Sequence, residues 1–149
     1  MRASKNNTTH EQAEKLIELG IDVSTATMHF HRMPDMGLLD GPMYTWDVFP
    51  KFNPDKHFNE AKRPCWDLAT LFDMLPGCID IPVNDEDETT HTVSSLLNIG
   101  KSRITYEHYD PYQDMNIADM QCYGDTFFDC VYNMVCWLLE NNLLKYETD

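Results

Sequence analysis

The chain has 149 residues, 42% of them hydrophobic, which is enough for one compact core and short for two ordinary domains. Eleven Lys and Arg against 25 Asp and Glu give a formal charge of -14, a field that repels a phosphate backbone and argues against direct nucleic-acid binding. No apolar run reaches the roughly 18 residues of a membrane span, and residues 1–7 are polar with no apolar signal segment after them, so a soluble cytoplasmic protein with no membrane contact is expected.

The first element is predicted at Thr8 and Thr9, whose hydroxyls precede Glu11 and Gln12 in the spacing of a capping box. Ala13, Leu16, Ile17 and Leu19 recur at helical spacing, and Gly20 supplies a left-handed terminator with Ile21 packing back on the last turn, so a helix is expected over 9–19. Beyond it, His29 and His31 sit two apart in a segment that reads as extended, and would then project the same way. With Asp35 they form the chain's candidate metal ligands, although no third nitrogen or sulfur ligand accompanies them at standard spacing.

Five prolines (Pro34, Pro42, Pro50, Pro54, Pro64) and two glycines fall between Met33 and Pro64, a density that removes the N–H groups regular elements need. The stretch 34–63 is therefore expected as a mostly irregular insert. Its interleaved aromatics, Tyr44, Trp46, Phe49, Phe52 and Phe58, predict that it folds over the core or offers a binding surface, with Trp46 the candidate contact residue. Asp67 then caps a short helix whose apolar face is Leu68, Leu71, Phe72 and Leu75, stopped by Pro76-Gly77. Asp85, Glu86, Asp87 and Glu88 read as a solvated acidic loop, since adjacent carboxylates repel one another and resist unpaired burial.

From Thr92 the hydrophobic period becomes two. Val93, Leu97 and Ile99 alternate with Thr92, Leu96 and Asn98, Gly100-Lys101 is expected as a two-residue hairpin turn with glycine at positive φ, and Ile104, Tyr106 and His108 share a face of the next strand. After a turn at 110–114, Ala118, Met120 and Cys122 alternate along a third strand. A long apolar helix closes the chain, capped by Thr126 with Asp129 in its first turn and ended by Asn141-Asn142; Tyr132 and Trp137 read as packing residues within it. The predicted fold is α+β: short N-terminal helices, a three-stranded antiparallel meander, and a C-terminal apolar helix packed on the sheet. It is laid out as 1–33, the insert 34–63 and an acidic α-β-β-β-α core over 64–149, within one compact domain.

Five cysteines without a CxxC pair read as reduced, mostly buried thiols. No HExxH, GxSxG, Walker or GxGxxG pattern occurs, so no cofactor is expected and the chain leans away from enzymes. His57, His91 and His108 read as isolated. Residues 64–149 hold three Lys or Arg against sixteen Asp or Glu, a field suited to solubility and to steering a basic protein partner.

Three blocks carry a family resemblance: Lys15-Leu16-Ile17-Glu18-Leu19-Gly20-Ile21-Asp22 with Thr25-Ala26-Thr27-Met28; Pro64-Cys65-Trp66-Asp67-Leu68 with Leu71 and Met74-Leu75-Pro76; and Asp129 through Asn141. In these the chain resembles an uncharacterised family of small proteins from phages and prophages of Bacteroides-like bacteria, with Asp67 standing where that family has serine. The meander and closing helix also look like the HicB-type antitoxin fold, and the α-β-β-β-α order looks like a double-stranded-RNA-binding domain without its basic face. The resemblance implies provenance and layout rather than an activity. The expected function is a non-enzymatic phage accessory protein that binds another protein, possessing an acidic contact at Asp85–Glu88 and acting against a host defence or nucleic-acid-binding protein. Two alternatives stay open at this point: a metal protein or hydrolase using His29 and His31, and an oligomeric structural component with the aromatic insert as its interface.

Overall fold

The computed structural model describes residues 6–35, 43–84 and 90–144. The fold is α+β, and the chain divides into two compact units, 1–71 and 72–149. Residues 64–71, assigned above to the C-terminal core, cluster with the first unit.

In the first unit, α1 spans His10–Glu18. Thr9 caps it by the expected box: its hydroxyl accepts from the Gln12 N–H at 3.1 Å, while the Gln12 side chain accepts from the Thr9 N–H at 3.0 Å. The far end is a Schellman turn, with the Ile21 N–H donating to the Leu16 carbonyl and the Gly20 N–H to that of Ile17. Gly20 makes this possible at φ +94°, a region that strains residues bearing a Cβ. Ala13 and Leu16 are fully buried on the inner face of α1.

The described part of the insert carries regular elements where irregular chain was expected. β1 (Met28–Asp35), β2 (Met43–Pro50) and β3 (Lys62–Cys65) form an antiparallel sheet in the order β2-β1-β3, and α2 (Pro54–His57) precedes β3. The prolines are tolerated because of where they fall. Pro34 pairs with Tyr44 beyond the end of β3, where β1 is paired on one side only; Pro50 closes β2 and Pro64 lies in the edge strand β3. Pro54 opens α2, whose first N–H groups need no helical partner. Pro42 lies outside the described residues. The segment 6–8 is tied to the same body: the Thr8 N–H donates to the Trp66 carbonyl at 2.9 Å, and the Trp66 N–H returns to the Thr8 hydroxyl at 3.2 Å. Trp66 is fully buried, and its indole N–H donates to Thr25 Oγ1 at 2.9 Å. The short α3 (Leu68–Asp73) is capped as expected, Asp67 Oδ1 accepting from the Thr70 N–H at 2.8 Å.

The second unit holds a four-stranded antiparallel sheet, not a three-stranded one. Cys78–Asn84 forms an additional strand, β4, ahead of β5 (Thr90–Ile99), β6 (Arg103–Asp110) and β7 (Met115–Tyr123), in the order β4-β5-β6-β7. Pro82 fits because β4 is an edge strand. The first hairpin turns at Lys101-Ser102, one residue later than expected: Gly100 donates to the Arg103 carbonyl and does not adopt positive φ. A bulge breaks the alternation of β7. Tyr106 pairs with Met120 but Glu107 pairs with Ala118, which leaves Asp119 as the extra residue and puts Ala118 and Met120 on different faces.

The closing helix α4 spans Phe127–Glu140 and packs on β6 and β7. Thr126 caps it, accepting from the Asp129 N–H at 3.1 Å. Its end is a second Schellman turn with Asn142 at φ 54° and the Leu143 N–H on the Leu138 carbonyl. Val131, Met134, Val135 and Leu138 are fully buried, each stabilising the unit by about 1.5–3 kcal/mol relative to exposure. Among the described residues, no helix is long and apolar enough to cross a membrane.

Candidate functional site

Trp46 lies in a cleft of the first unit. Cross-strand partners share a sheet face, so Arg32 and Trp46 project together, as do Phe30 with Val48 and Phe30 with Arg63. The same face carries α1. His10 stacks flat on the Trp46 indole at a centroid distance of 4.0 Å and meets Phe30 edge-on at 5.7 Å. One turn further on, Glu14 grips Arg63 of β3 bidentately, through Nε at 2.6 Å and Nη2 at 2.9 Å, while the guanidinium lies 4.6 Å over the Phe58 ring. Asn59 and Glu60 complete the lining of an open cavity of about 500 Å³.

His10 is the unusual member of this group. Its Nε2 is buried without a hydrogen-bond partner, although Glu14 Oε1 is 3.3 Å away, because Glu14 is oriented toward Arg63. Burial lowers its pKa, against the opposing pull of Glu14, so the ring is neutral at physiological pH.

His29 and His31 do point the same way along β1, as expected, but toward the sheet's other face and into ring contacts. His29 stacks face to face on His57 at 3.8 Å, and His31 meets Phe49 at 5.9 Å. The His29 Nδ1–H donates to the Lys51 carbonyl at 2.7 Å, and His57 Nδ1 accepts from the Asn53 N–H at 2.9 Å. Stacked imidazoles carry their lone pairs in parallel planes that do not converge on one ion, and among the described residues no three His, Cys, Asp or Glu form a metal-sized group. His57 is thus not isolated; burial and its neighbours His29, Lys62, Lys56 and His31 lower its pKa.

In the second unit, α4 covers one face of the sheet and leaves the other open. Ile79, Ser95, Ile104, Tyr106 and Cys122 are buried on the helix side. The open face presents Leu96 (61% exposed) opposite Glu107, Tyr109 (57%) two residues further along β6, Asp80 on β4, and Tyr123 (60%) opposite Arg103 at the far end of β7. These carboxylates are held in place: Ser94 Oγ donates to Asp80 at 3.2 Å, and Glu107 accepts from Thr105 at 2.9 Å and Asn98 at 3.2 Å. A cavity of about 420 Å³ lies between Leu96, Asn98, Glu107 and Tyr109.

His108, read above as isolated, is bonded to the bulge residue. Asp119 Oδ2 accepts from the His108 Nδ1–H at 2.7 Å and from the fully buried Ser95 hydroxyl at 2.8 Å. A nucleophilic serine needs its hydroxyl on the imidazole; here serine and histidine both donate to one carboxylate oxygen, which makes a structural tie. Four of the five thiols are shielded from solvent. Cys65, Cys122, Cys130 and Cys136 are buried, and burial raises the pKa of Cys65 and Cys130 and pushes Cys122 up to about 11. Cys78 departs from the expected burial and is exposed at the start of β4.

Of the residues singled out from sequence, Trp46 is in a cleft, His29 and His31 are in a ring cluster, and Asp85, Glu86, Asp87 and Glu88 lie outside the described residues. Sequence reasoning missed His10, Glu14, Arg63 and Asp119. The i,i+4 spacing of His10 and Glu14 was readable, whereas the 49-residue separation of Glu14 from Arg63 left no local signal. No protein-family model, no curated protein and no solved structure matches the chain.

Proposed function

We propose that the protein acts without catalysis, by binding another protein through the open face of the four-stranded sheet. The observation that carries this reading is the exposure of Leu96 and Tyr109 on neighbouring strands, beside the Glu107 carboxylate, which is held by its own hydrogen bonds to Thr105 and Asn98. Aromatic and aliphatic anchors within a polar surround are the composition of a protein contact, and pre-fixed polar groups lose little entropy on binding. The charge sets the partner's chemistry. Residues 72–149 hold fifteen Asp and Glu against three Lys and Arg, so the complementary surface is basic, as on a nucleic-acid-binding protein. The resemblance to phage and prophage proteins supports a host-cell protein as the target and the cytoplasm as the place of action. In this reading Asp85, Glu86, Asp87 and Glu88, which lie outside the described residues, contribute to partner capture.

Quantitative affinity capture from host cells tests it. The wild type is expected to enrich a basic protein in a salt-sensitive manner, while Leu96→Lys with Tyr109→Ala, both exposed, folds normally and loses the enrichment. Equal recovery by the variant refutes the assigned face.

A further inference from the structure

We propose that β2 is a pairing edge for a second copy of this chain: two β2 strands meet antiparallel across a twofold axis and join two three-stranded sheets into one of six strands. The Arg32 N–H donates to the Ala61 carbonyl at 2.8 Å, on the β3 side of β1, so Arg32 and Trp46 oppose each other without exchanging hydrogen bonds. Such pairs recur at every second position of an antiparallel ladder, which makes Pro34 with Tyr44, Phe30 with Val48 and Met28 with Pro50 pairs of the same kind. Pro34 and Pro50, which have no N–H, fall at these positions, where β1 and β2 lose no bond to them. The N–H and C=O groups of Tyr44, Trp46 and Val48 therefore point away from β1, on the outer side of an edge strand, and among the described residues they have no main-chain partner. The other three edges are blunted against pairing: β3 is four residues long and holds Lys62 and Pro64, β4 holds Pro82, and β7 is bulged. By contrast, β2 runs eight residues in unbroken register with β1, with proline at its last position.

The strand is complementary to itself in one register. With Trp46 opposite Trp46 of the second copy, Tyr44 falls opposite Val48, and the three outward residues of each strand exchange six hydrogen bonds. Thr45 then faces Asp47, a hydroxyl against a carboxylate, and both positions are exposed. Sliding two residues one way sets Asp47 against Asp47 and Tyr44 against Pro50, which has no N–H to give; sliding the other way carries Val48 past Met43, the start of β2. Charge favours a contact through this unit. Residues 1–71 hold eight Lys and Arg against ten Asp and Glu, whereas 72–149 hold three against fifteen, so two identical chains repel each other least here. The contact lies wholly in the first unit and is independent of the open face of the second sheet.

The test is sedimentation equilibrium with residue-resolved amide exchange of the full chain, over about 10 μM to 1 mM, the range of a small transient contact. The mass is expected to rise from 17.4 kDa toward twice that value. Exchange at Tyr44, Trp46 and Val48 is expected to slow with concentration, while Thr45, Asp47 and Phe49, already bonded to β1, stay unchanged. Thr45→Asp, at an exposed position, sets like charges opposite each other twice in the symmetric pair and is expected to weaken association about two- to thirtyfold. Thr45→Lys, facing Asp47 in the same register, is expected to strengthen it by a similar factor. Added salt is expected to strengthen the wild-type pair, because each copy carries a charge of -14. A chain that stays monomeric to about 1 mM, slowed exchange that misses these alternate amides, equal effects of the two Thr45 variants, or association that weakens with salt overturns the proposal.

Discussion

Replacing Asp119 with alanine separates a structural from a catalytic role for the Ser95–Asp119–His108 group. The substitution orphans two donors: the Ser95 hydroxyl, which has no solvent access, and the His108 Nδ1–H, on a side chain 15% exposed. An unsatisfied buried donor costs about 1–3 kcal/mol, with the larger part expected at Ser95 and the smaller at His108, for a sum of about 3 kcal/mol. At the usual entropy of unfolding for a unit of this size, that lowers Tm by roughly 12–24 °C. Asp119→Asn keeps one carbonyl acceptor and is expected to lose about 1 kcal/mol. Because the chain has two units and a single transition is not assured, the assay is hydrogen exchange of amides in 92–99 and 104–123, which reads the second sheet alone. A loss below about 0.5 kcal/mol in Asp119→Ala refutes the reading of this group as a structural tie.

Gly124→Ala is expected to destabilise the second unit by about 1–3 kcal/mol, since its Cβ falls 2.6 Å from Asp129 Cβ and 2.9 Å from the Cys130 nitrogen; an unchanged urea midpoint contradicts the tight entry into α4. Native thiol labelling near pH 8 is expected to modify Cys78 rapidly and the other four cysteines only after unfolding, and rapid modification of a second thiol contradicts their burial. His10 and His57 both have lowered pKa values, so the unfolded chain takes up protons first on acidification. Their contribution is complete above about pH 6.5 and is lost as pH falls from there through the folded values. Unfolding of the first unit measured from pH 7.5 to 5 should show this slope, and the double variant His10→Phe with His57→Phe should flatten it; an unaltered slope assigns it to other groups.

The sequence was most readable where one local rule governs a position. Thr9, Asp67 and Thr126 cap helices because a hydroxyl or carboxylate before an apolar run satisfies orphan N–H groups whatever surrounds it. β6 followed from alternation, with Ile104 and Tyr106 buried and His108 on the same side. The misreadings share one physical origin, that proline's effect depends on a strand's neighbours. Pro34 and Pro64 were taken to forbid strands, yet each lies on an edge strand or where pairing is one-sided. The Asp119 bulge was likewise invisible, because the extra residue appears only against the register of β6. For the candidate sites, Trp46 was legible as an aromatic in a polar stretch, but its stack on His10 and the Glu14–Arg63 fork join residues far apart in the chain. The open sheet face was partly legible: Leu96 stood off the buried alternation of its strand, whereas the side it shares with Glu107 and Tyr109 depends on the β5–β6 register.

The most direct measurement of the central claim is a hydrogen-exchange footprint of the chain bound to its captured partner. Protein binding through the open sheet face predicts slowed exchange in β5 and β6 around Leu96 and Tyr109, weakening as salt is raised, with 6–71 unchanged. Protection confined to the first unit, or a complex insensitive to salt, contradicts it.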